Sequence, residues 1–258
     1  MVQIGKSLIL LLLILGLTAC GSEEKLFQTY ELLQPEESED KDLAGMLKEQ
    51  ACGAMVRISV GNLVGSGVIF RMDQREMVIL TAAHVLERVA GQERSKENAE
   101  SVLEITLVDG TILSDENDKS KDEDNVWSVT LSQTSDLGII TVPMKEIPED
   151  AFAHCRYVPT DKEAFDALTA GDIILVMGCA EEVAGNAYEG TLTDSWIYIE
   201  DYGQYMMLGR TYAESGMSGG GVFDRYGRFI GILSGADERG NLAIVPLSII
   251  LSENVVLK

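Results

Sequence analysis

The sequence is poor in basic residues and in histidine. It has 20 lysines and arginines against 42 aspartates and glutamates, a net charge of −22, and its two histidines are His84 and His154. A chain this acidic repels nucleic acid and attracts basic polypeptides, so we expect no nucleic-acid partner. Because a nucleophilic serine needs a base, the scarcity of histidine also leaves few residues that could activate one.

A long apolar run is missing as well. The most apolar stretch, residues 8–15, is shorter than the roughly 20 residues of a membrane-spanning helix. Lys6 precedes it and Leu17-Thr18-Ala19-Cys20 follows it, the arrangement of an export signal. The last four residues resemble the bacterial lipobox, in which the peptide is cut before a cysteine that carries lipid.

We therefore expect residues 1–19 to be a lipoprotein signal peptide and Cys20 to be lipidated. The protein would then be anchored to a bacterial membrane in the cell envelope, outside the cytoplasm. A plain secretory signal with an incidental cysteine is the alternative. Residues 20–48 are acidic and poor in apolar residues, which predicts a tether, although residues 43–47 could form a short docking helix.

One serine stands among glycines, in Gly216-Met217-Ser218-Gly219-Gly220. Glycines allow a tight turn in which backbone amides point at a substrate oxygen beside the serine hydroxyl. The pattern also fits the nucleophile elbow of α/β-hydrolases, but there the histidine follows the serine, and no histidine follows Ser218. The order that remains is His, Asp, Ser, with His84 as the base and Asp136 as the best acid.

These residues lie in motifs that resemble the trypsin-like serine peptidases, most closely their bacterial Deg-type branch. The motifs are residues 65–69 leading into 80–84, residues 135–139, residues 216–220 and residues 243–246. The resemblance implies the chymotrypsin-like fold, an all-β fold of two antiparallel β-barrels with the active site between them. We expect a peptidase domain over residues 49–258, with a first barrel at about 49–147 and a second at about 167–258, and no PDZ domain after it.

Short β-rich runs separated by turn residues support this expectation. Residues 55–60, 67–70 and 77–80 predict consecutive strands, and Asp109-Gly110 predicts a hairpin turn. In the second half, residues 190–193 and 196–199 predict two separate strands. The acidic segment 115–124 offers oxygen ligands for calcium, but it lacks the glycine and the terminal glutamate of an EF-hand loop, so a solvated loop is favoured. No metal or other cofactor is expected.

The resemblance assigns roles to individual residues. Ser218 would be the nucleophile, His84 the general base and Asp136 its partner, and the N–H groups of Gly216 and Ser218 would form the oxyanion hole. Tyr212, Ser234 and Gly235 would contact the substrate. Each residue taken singly also has a structural explanation, and for His154 a structural role is favoured.

Two function classes remain open at this point. The first is an envelope-anchored serine endopeptidase that acts on polypeptides; the second is a catalytically silent peptidase-fold module that binds peptides or a partner protein. Met217 replaces the acid that precedes the serine in the digestive enzymes, so activation by a newly cut N-terminus is not expected. By resemblance to chymotrypsin, a disulfide between Cys52 and Cys155 is predicted, with Cys179 left free.

Overall fold

The computed structural model describes residues 27–34, 42–90, 102–115, 127–180 and 183–253. The signal peptide, Cys20 and nearly all of the acidic segment 115–124 lie outside these residues. Within the described ranges, no helix combines the length and apolar character needed to cross a membrane.

The first half forms one antiparallel sheet of seven strands. Its strands are β1 (Met55–Val60), β2 (Leu63–Met72), β3 (Glu76–Thr81), β4 (Leu103–Thr106), β5 (Ile112–Ser114), β6 (Ser128–Leu131) and β7 (Gly138–Pro143). They lie in the order β5-β4-β1-β2-β3-β7-β6, so that β5 and β6 are the edges of a curled sheet. The predicted first barrel is thus present as a sheet that does not close on itself within the described residues.

The second half forms a closed barrel. Its strands are β8 (Ile173–Gly178), β9 (Asn186–Ile199), β10 (Gln204–Arg210), β11 (Gly221–Asp224), β12 (Phe229–Ala236) and β13 (Asn241–Pro246), in the order β10-β13-β12-β11-β8-β9. The expectation of two strands at 190–193 and 196–199 is wrong, because β9 is continuous. Its pairing with β10 shifts register between Met206 and Leu208, and such an irregularity lets a strand bend without ending.

Short helices connect and flank the strands. Among the described residues they are α1 (Leu43–Ala51), α2 (Ala83–Ala90), α3 (Glu149–Phe152), α4 (Lys162–Asp166) and α5 (Leu247–Ser252), with 3-10 turns at Cys52–Ala54 and Met144–Glu146. A central apolar cluster joins the two halves, since it contains Met55 and Leu80 of the first sheet and Phe223 and Phe229 of the second barrel. The all-β, two-lobed architecture expected from the sequence is confirmed.

The segment predicted to be a tether packs onto the second barrel instead. The Tyr30 hydroxyl donates to Gly227 O at 2.6 Å, and Leu33, which is 2 % exposed, donates its N–H to Tyr226 O at 2.9 Å. Helix α1 begins at an Asp42 cap and buries Leu43, Leu47 and Ala51, which confirms the docking helix. The prediction of a tether is therefore wrong for residues 27–34 and 42–48, because a few apolar anchors in an acidic stretch suffice to hold it.

The predicted disulfide is not formed. Cys52, Cys155 and Cys179 are all free, and the Cys155 thiol donates to Ala151 O within the turn that follows α3. Burial raises the pKa of the Cys155 and Cys179 thiols to about 12, so both stay protonated at neutral pH.

Candidate active site

His84 and Asp136 form a hydrogen-bonded pair at one end of the first sheet. His84 lies in the first turn of α2, directly after β3, and Asp136 lies in the turn between β6 and β7. His84 Nδ1 is 2.9 Å from Asp136 Oδ2, and the His84 backbone N–H donates to Asp136 Oδ1 at 3.0 Å. The two contacts orient the imidazole so that Nδ1 faces the carboxylate and Nε2 is left for another partner.

The pairing changes the ionisation of both groups. The hydrogen bond that His84 donates to Asp136 raises the pKa of His84 above its usual range, although partial burial opposes the shift. Burial alone would raise the pKa of Asp136, but the hydrogen bonds from His84 and Ser234 outweigh it and hold that pKa below its usual value. Asp136 is therefore charged at neutral pH and stabilises a proton on His84.

Ser234 joins the second barrel to this pair. It is 2 % exposed, and its hydroxyl donates to Asp136 Oδ2. The sequence predicts a substrate contact for Ser234, whereas its side chain holds the carboxylate of Asp136. Residues 98 positions apart in the chain thus meet where the two halves of the fold touch.

Ser218 lies in a tight turn of the second barrel. Gly216 and Gly219 have φ angles of 91° and 84°, in the left-handed region that favours glycine. A Cβ on Gly219 would come within 2.1 Å of Thr81 Oγ1 and 2.2 Å of Ser66 O, so only glycine permits this close approach to the first sheet. The glycines around Ser218 therefore place the nucleophile turn against the strand that precedes His84.

A buried serine of the first sheet fastens this turn. Ser66, fully buried on β2, donates its hydroxyl to Gly216 O at 2.7 Å and its N–H to Ser218 O at 2.8 Å. The same hydroxyl accepts from the Cys179 N–H at 2.7 Å. The sequence does not predict Ser66 as a site residue, because its only signal there is a hydroxyl between two glycines in an apolar strand.

The amides predicted for the oxyanion hole are available. Among the described residues, neither the Gly216 N–H nor the Ser218 N–H has a hydrogen-bond acceptor, whereas the N–H groups of Met217, Gly219 and Gly220 all have one. Two unused donors beside a serine hydroxyl suit an oxygen that becomes negative during the reaction. In the same part of the structure, no hydrogen bond joins the Ser218 hydroxyl to the His84 ring.

Met217 is part of the interior of the second barrel. It is fully buried, and its sulfur accepts from the Glu214 N–H at 3.2 Å. The Glu214 carboxylate in turn accepts from the Tyr188 hydroxyl. The turn before Ser218 is thus held by internal packing, and Met217 presents no carboxylate to a chain terminus.

Tyr212, Gly235 and His154 are the remaining residues that the sequence analysis singled out. Tyr212 is 62 % exposed and packs edge-on against Tyr188, with ring centroids 5.1 Å apart. Gly235 lines a small pocket whose lining includes neither Tyr212 nor Ser234. His154 lies in the turn after α3, where its N–H donates to Ala151 O. No cluster of three or more His, Cys, Asp or Glu side chains in the described ranges could hold a metal ion.

The sequence matches the trypsin-like peptidase domain family over residues 65–232, which is more than half of the chain. The matched range includes His84, Asp136 and Ser218. The chain therefore belongs to the trypsin-like peptidase domain family. No curated protein sequence matches it significantly.

Several solved protease structures have the same fold. Deg5 has a TM-score of 0.61 and 19 % identity, with 84 % of this chain and 94 % of Deg5 covered. The HtrA-type protease AlgW with a tripeptide has a TM-score of 0.59 and 17 % identity, covering 81 % of this chain and 61 % of AlgW. This chain thus spans about three fifths of the length of AlgW.

An inactive form of Rv3671c from M. tuberculosis H37Rv has a TM-score of 0.56 and 14 % identity, with 89 % of this chain and 96 % of Rv3671c covered. At these identities the likeness concerns the fold. The family match and the shared fold thus agree on a trypsin-like peptidase domain.

Proposed function

We propose that this protein is an endopeptidase in which His84, Asp136 and Ser218 form a catalytic triad. The observation that carries the proposal is the hydrogen-bonded set Ser234–Asp136–His84, which lies where the glycine-rich turn of Ser218 meets the first sheet. Two lobes contribute to it, so the groove between them is where a peptide would bind.

The proposed reaction follows from these positions. Ser218 Oγ attacks the carbonyl carbon of the scissile bond while its proton passes to His84 Nε2, and Asp136 stabilises the resulting imidazolium through Nδ1–H. The N–H groups of Gly216 and Ser218 donate to the new oxyanion. The C–N bond then breaks, the leaving amine takes the proton from His84, and water releases the acyl group by the reverse steps.

The missing hydrogen bond between Ser218 and His84 favours a second candidate, a silent module that binds polypeptide without cutting it. Catalytic hydrogen bonds are often long before substrate binds, so the absence of this hydrogen bond by itself does not exclude activity. The two candidates differ in whether Ser218 reacts as an activated nucleophile.

A fluorophosphonate probe distinguishes them, because it labels only an activated serine. We expect the purified protein to be labelled and to hydrolyse an unstructured protein substrate, and Ser218→Ala to lose both properties. Ser215→Ala is the matched control, since Ser215 is an exposed hydroxyl three residues away on the same turn. Absence of labelling and hydrolysis in the unaltered protein would favour the silent module.

We further propose that the protein is anchored to a bacterial membrane, outside the cytoplasm, by lipid on Cys20. The support is the sequence Leu17-Thr18-Ala19-Cys20 at the end of an export signal. Mass spectrometry of the mature N-terminus should find a diacylated Cys20. An unmodified N-terminus at any other residue would contradict the anchor without affecting the proposed chemistry.

A further inference from the structure

An exposed aromatic cluster lies on the hairpin formed by β9 and β10. Its members are Trp196, Tyr198 and Tyr205, which are 50 %, 52 % and 47 % exposed. Tyr198 lies directly opposite Tyr205 in the strand pairing, and Trp196, two residues before Tyr198, lies on the same face of β9. Neighbouring apolar groups that stay open to solvent mark surfaces that bind another molecule.

The three rings pack on one another and still leave much of their surface open. Trp196 stacks on Tyr205 with ring centroids 5.1 Å apart and ring planes 8° apart, and Tyr198 packs edge-on against Tyr205 at 5.4 Å. Such cross-strand pairs stabilise a hairpin, but here about half of each side chain faces solvent. Because the face of an aromatic ring attracts a cation, and that of Trp does so most strongly, the cluster offers binding surface to a cationic group.

Three carboxylates belong to the same hairpin. Asp194 Oδ1 accepts from the Trp196 N–H at 2.9 Å, which holds that carboxylate near the indole, and Glu200 and Asp201 occupy the turn between β9 and β10. Within the described ranges, none of the three forms an ion pair with a basic side chain. Arg210, the one basic residue in positions 186–210, lies at the other end of the hairpin and donates to Asn241 Oδ1 at 3.1 Å.

Charge decides what kind of partner can cover these aromatic rings. A second copy of the chain would bring the same carboxylates, and a membrane surface of anionic lipids would repel them too. The whole chain has a net charge of −22, so this repulsion is not confined to the hairpin. A polypeptide that carries lysine or arginine is attracted instead, and its cations fit between ring faces and carboxylates.

We propose that the hairpin carries a docking surface for basic polypeptide segments, which we call the aromatic–acidic patch. The patch consists of Trp196, Tyr198, Tyr205, Asp194, Glu200 and Asp201. Arginine suits it best, because a planar guanidinium stacks on an aromatic ring while its N–H groups donate to a carboxylate. This binding function is separate from hydrolysis, since no patch residue belongs to the proposed triad or oxyanion hole. Net charge alone predicts attraction of basic polypeptides, and the patch gives that attraction a particular surface.

The test measures the fluorescence anisotropy of a labelled peptide in which arginine alternates with serine. The protein carries Ser218→Ala so that the peptide is not cut. We expect saturable binding that weakens as salt is added, and no binding of a matched peptide with glutamate in place of arginine. Trp196→Leu, which keeps an apolar side chain without a ring, should raise Kd about 2- to 5-fold, whereas Trp196→Phe should raise it less.

Tryptophan emission shows where the peptide binds. The chain has two tryptophans, Trp127 and Trp196, so the arginine peptide should change the emission of the protein with Trp196 in place but not that of Trp196→Phe. An equal change in both proteins would place the peptide away from the patch and would contradict the proposal.

A pair of double variants separates the patch from the net charge. Glu200→Gln combined with Asp201→Asn should raise Kd about 3- to 10-fold and make it less sensitive to salt. Glu149→Gln combined with Asp150→Asn is the matched control, because it removes the same charge from exposed positions on α3 and should change Kd little.

Three results would overturn the docking surface. They are equal binding of the glutamate peptide, equal effects of the two double variants, and equal effects of Trp196→Leu and Trp196→Phe. Co-sedimentation with phosphatidylcholine vesicles that is lost in Trp196→Leu would assign the patch to a lipid surface and would also overturn it. In the protein that retains Ser218, fluorophosphonate labelling should be the same with and without the patch substitutions, so the proposed function is tested separately.

Discussion

Removing the Ser66 hydroxyl should impair catalysis although Ser66 contacts no substrate atom in the proposed reaction. Ser66→Ala deletes the donor to Gly216 O and the acceptor for the Cys179 N–H, both at 2.7 Å. Gly216 O belongs to the residue whose N–H is proposed for the oxyanion hole. The substitution therefore acts on the position of that amide.

The size of the effect follows from the burial of Ser66. Leaving a buried donor or acceptor unsatisfied costs about 1–3 kcal/mol. Part of this cost lowers the stability of the fold. The part that displaces the Gly216 turn raises the activation barrier. If about 1–2 kcal/mol of the cost acts on the barrier, then at about 1.4 kcal/mol for each factor of ten kcat should fall roughly 5- to 30-fold, with little change in KM.

Tyr30→Phe is the control for stability. The Tyr30 hydroxyl also makes a buried hydrogen bond, to Gly227 O at 2.6 Å, but its acceptor lies in the turn between β11 and β12 and is not part of the nucleophile turn. Urea unfolding should show comparable losses of stability for both variants, whereas fluorophosphonate labelling and peptide hydrolysis should slow mainly in Ser66→Ala. Equal stability losses with unchanged labelling in Ser66→Ala would refute the argument that this serine positions the oxyanion hole.

Three further predictions concern other parts of the structure. Activity requires neutral His84 and so falls as the pH drops through the raised pKa of His84. Asp136→Asn removes the main cause of that shift, so the acid limb of the kcat/KM profile should move to lower pH while kcat falls about 10⁴-fold. An unmoved limb would argue against His84 as the base. Leu33→Ala should lower the free energy of unfolding by about 2–5 kcal/mol in a denaturant titration, whereas Leu32→Ala, at a site 40 % exposed, should change it little; equal effects would contradict the docking of residues 27–34. Met217→Leu should change the melting temperature little, whereas Met217→Asp, which buries an unpaired charge, should lower it strongly. A melting temperature that Met217→Asp leaves unchanged would mean that a cation reaches this position.

The features that could be predicted from the sequence are those written in short patterns. The glycines around Ser218, the apolar run before His84 and the turn at Asp136 are each a pattern of a few neighbouring residues. Their order along the chain selected one fold from two. The hydroxyls of Ser66 and Ser234 could not be recognised in this way. Their partners lie 150 and 98 residues away, and only the closure of the fold brings them together.

Average composition misled in the segment before α1. Acidic residues dominate it, but Tyr30 and Leu33 pack into the central cluster and outweigh the charge around them. The two strands predicted at 190–193 and 196–199 are likewise one strand, because β9 continues through the residues between them by a shift of register. The disulfide failed for a different reason, since a position comparable to that in a relative does not ensure that two thiols face each other.

The docking of residues 27–34 shortens the distance that would separate the domain from the membrane in a lipid-anchored form. Phe27, whose ring packs on Phe152 with centroids 5.4 Å apart, is the seventh residue after Cys20. Seven extended residues reach at most about 25 Å, against about 100 Å for the 28 residues of the tether expected from composition. If Cys20 carries lipid, the catalytic groove is confined to a thin layer above the bilayer. Its substrates would then be polypeptide segments close to the membrane surface, met by diffusion in two dimensions.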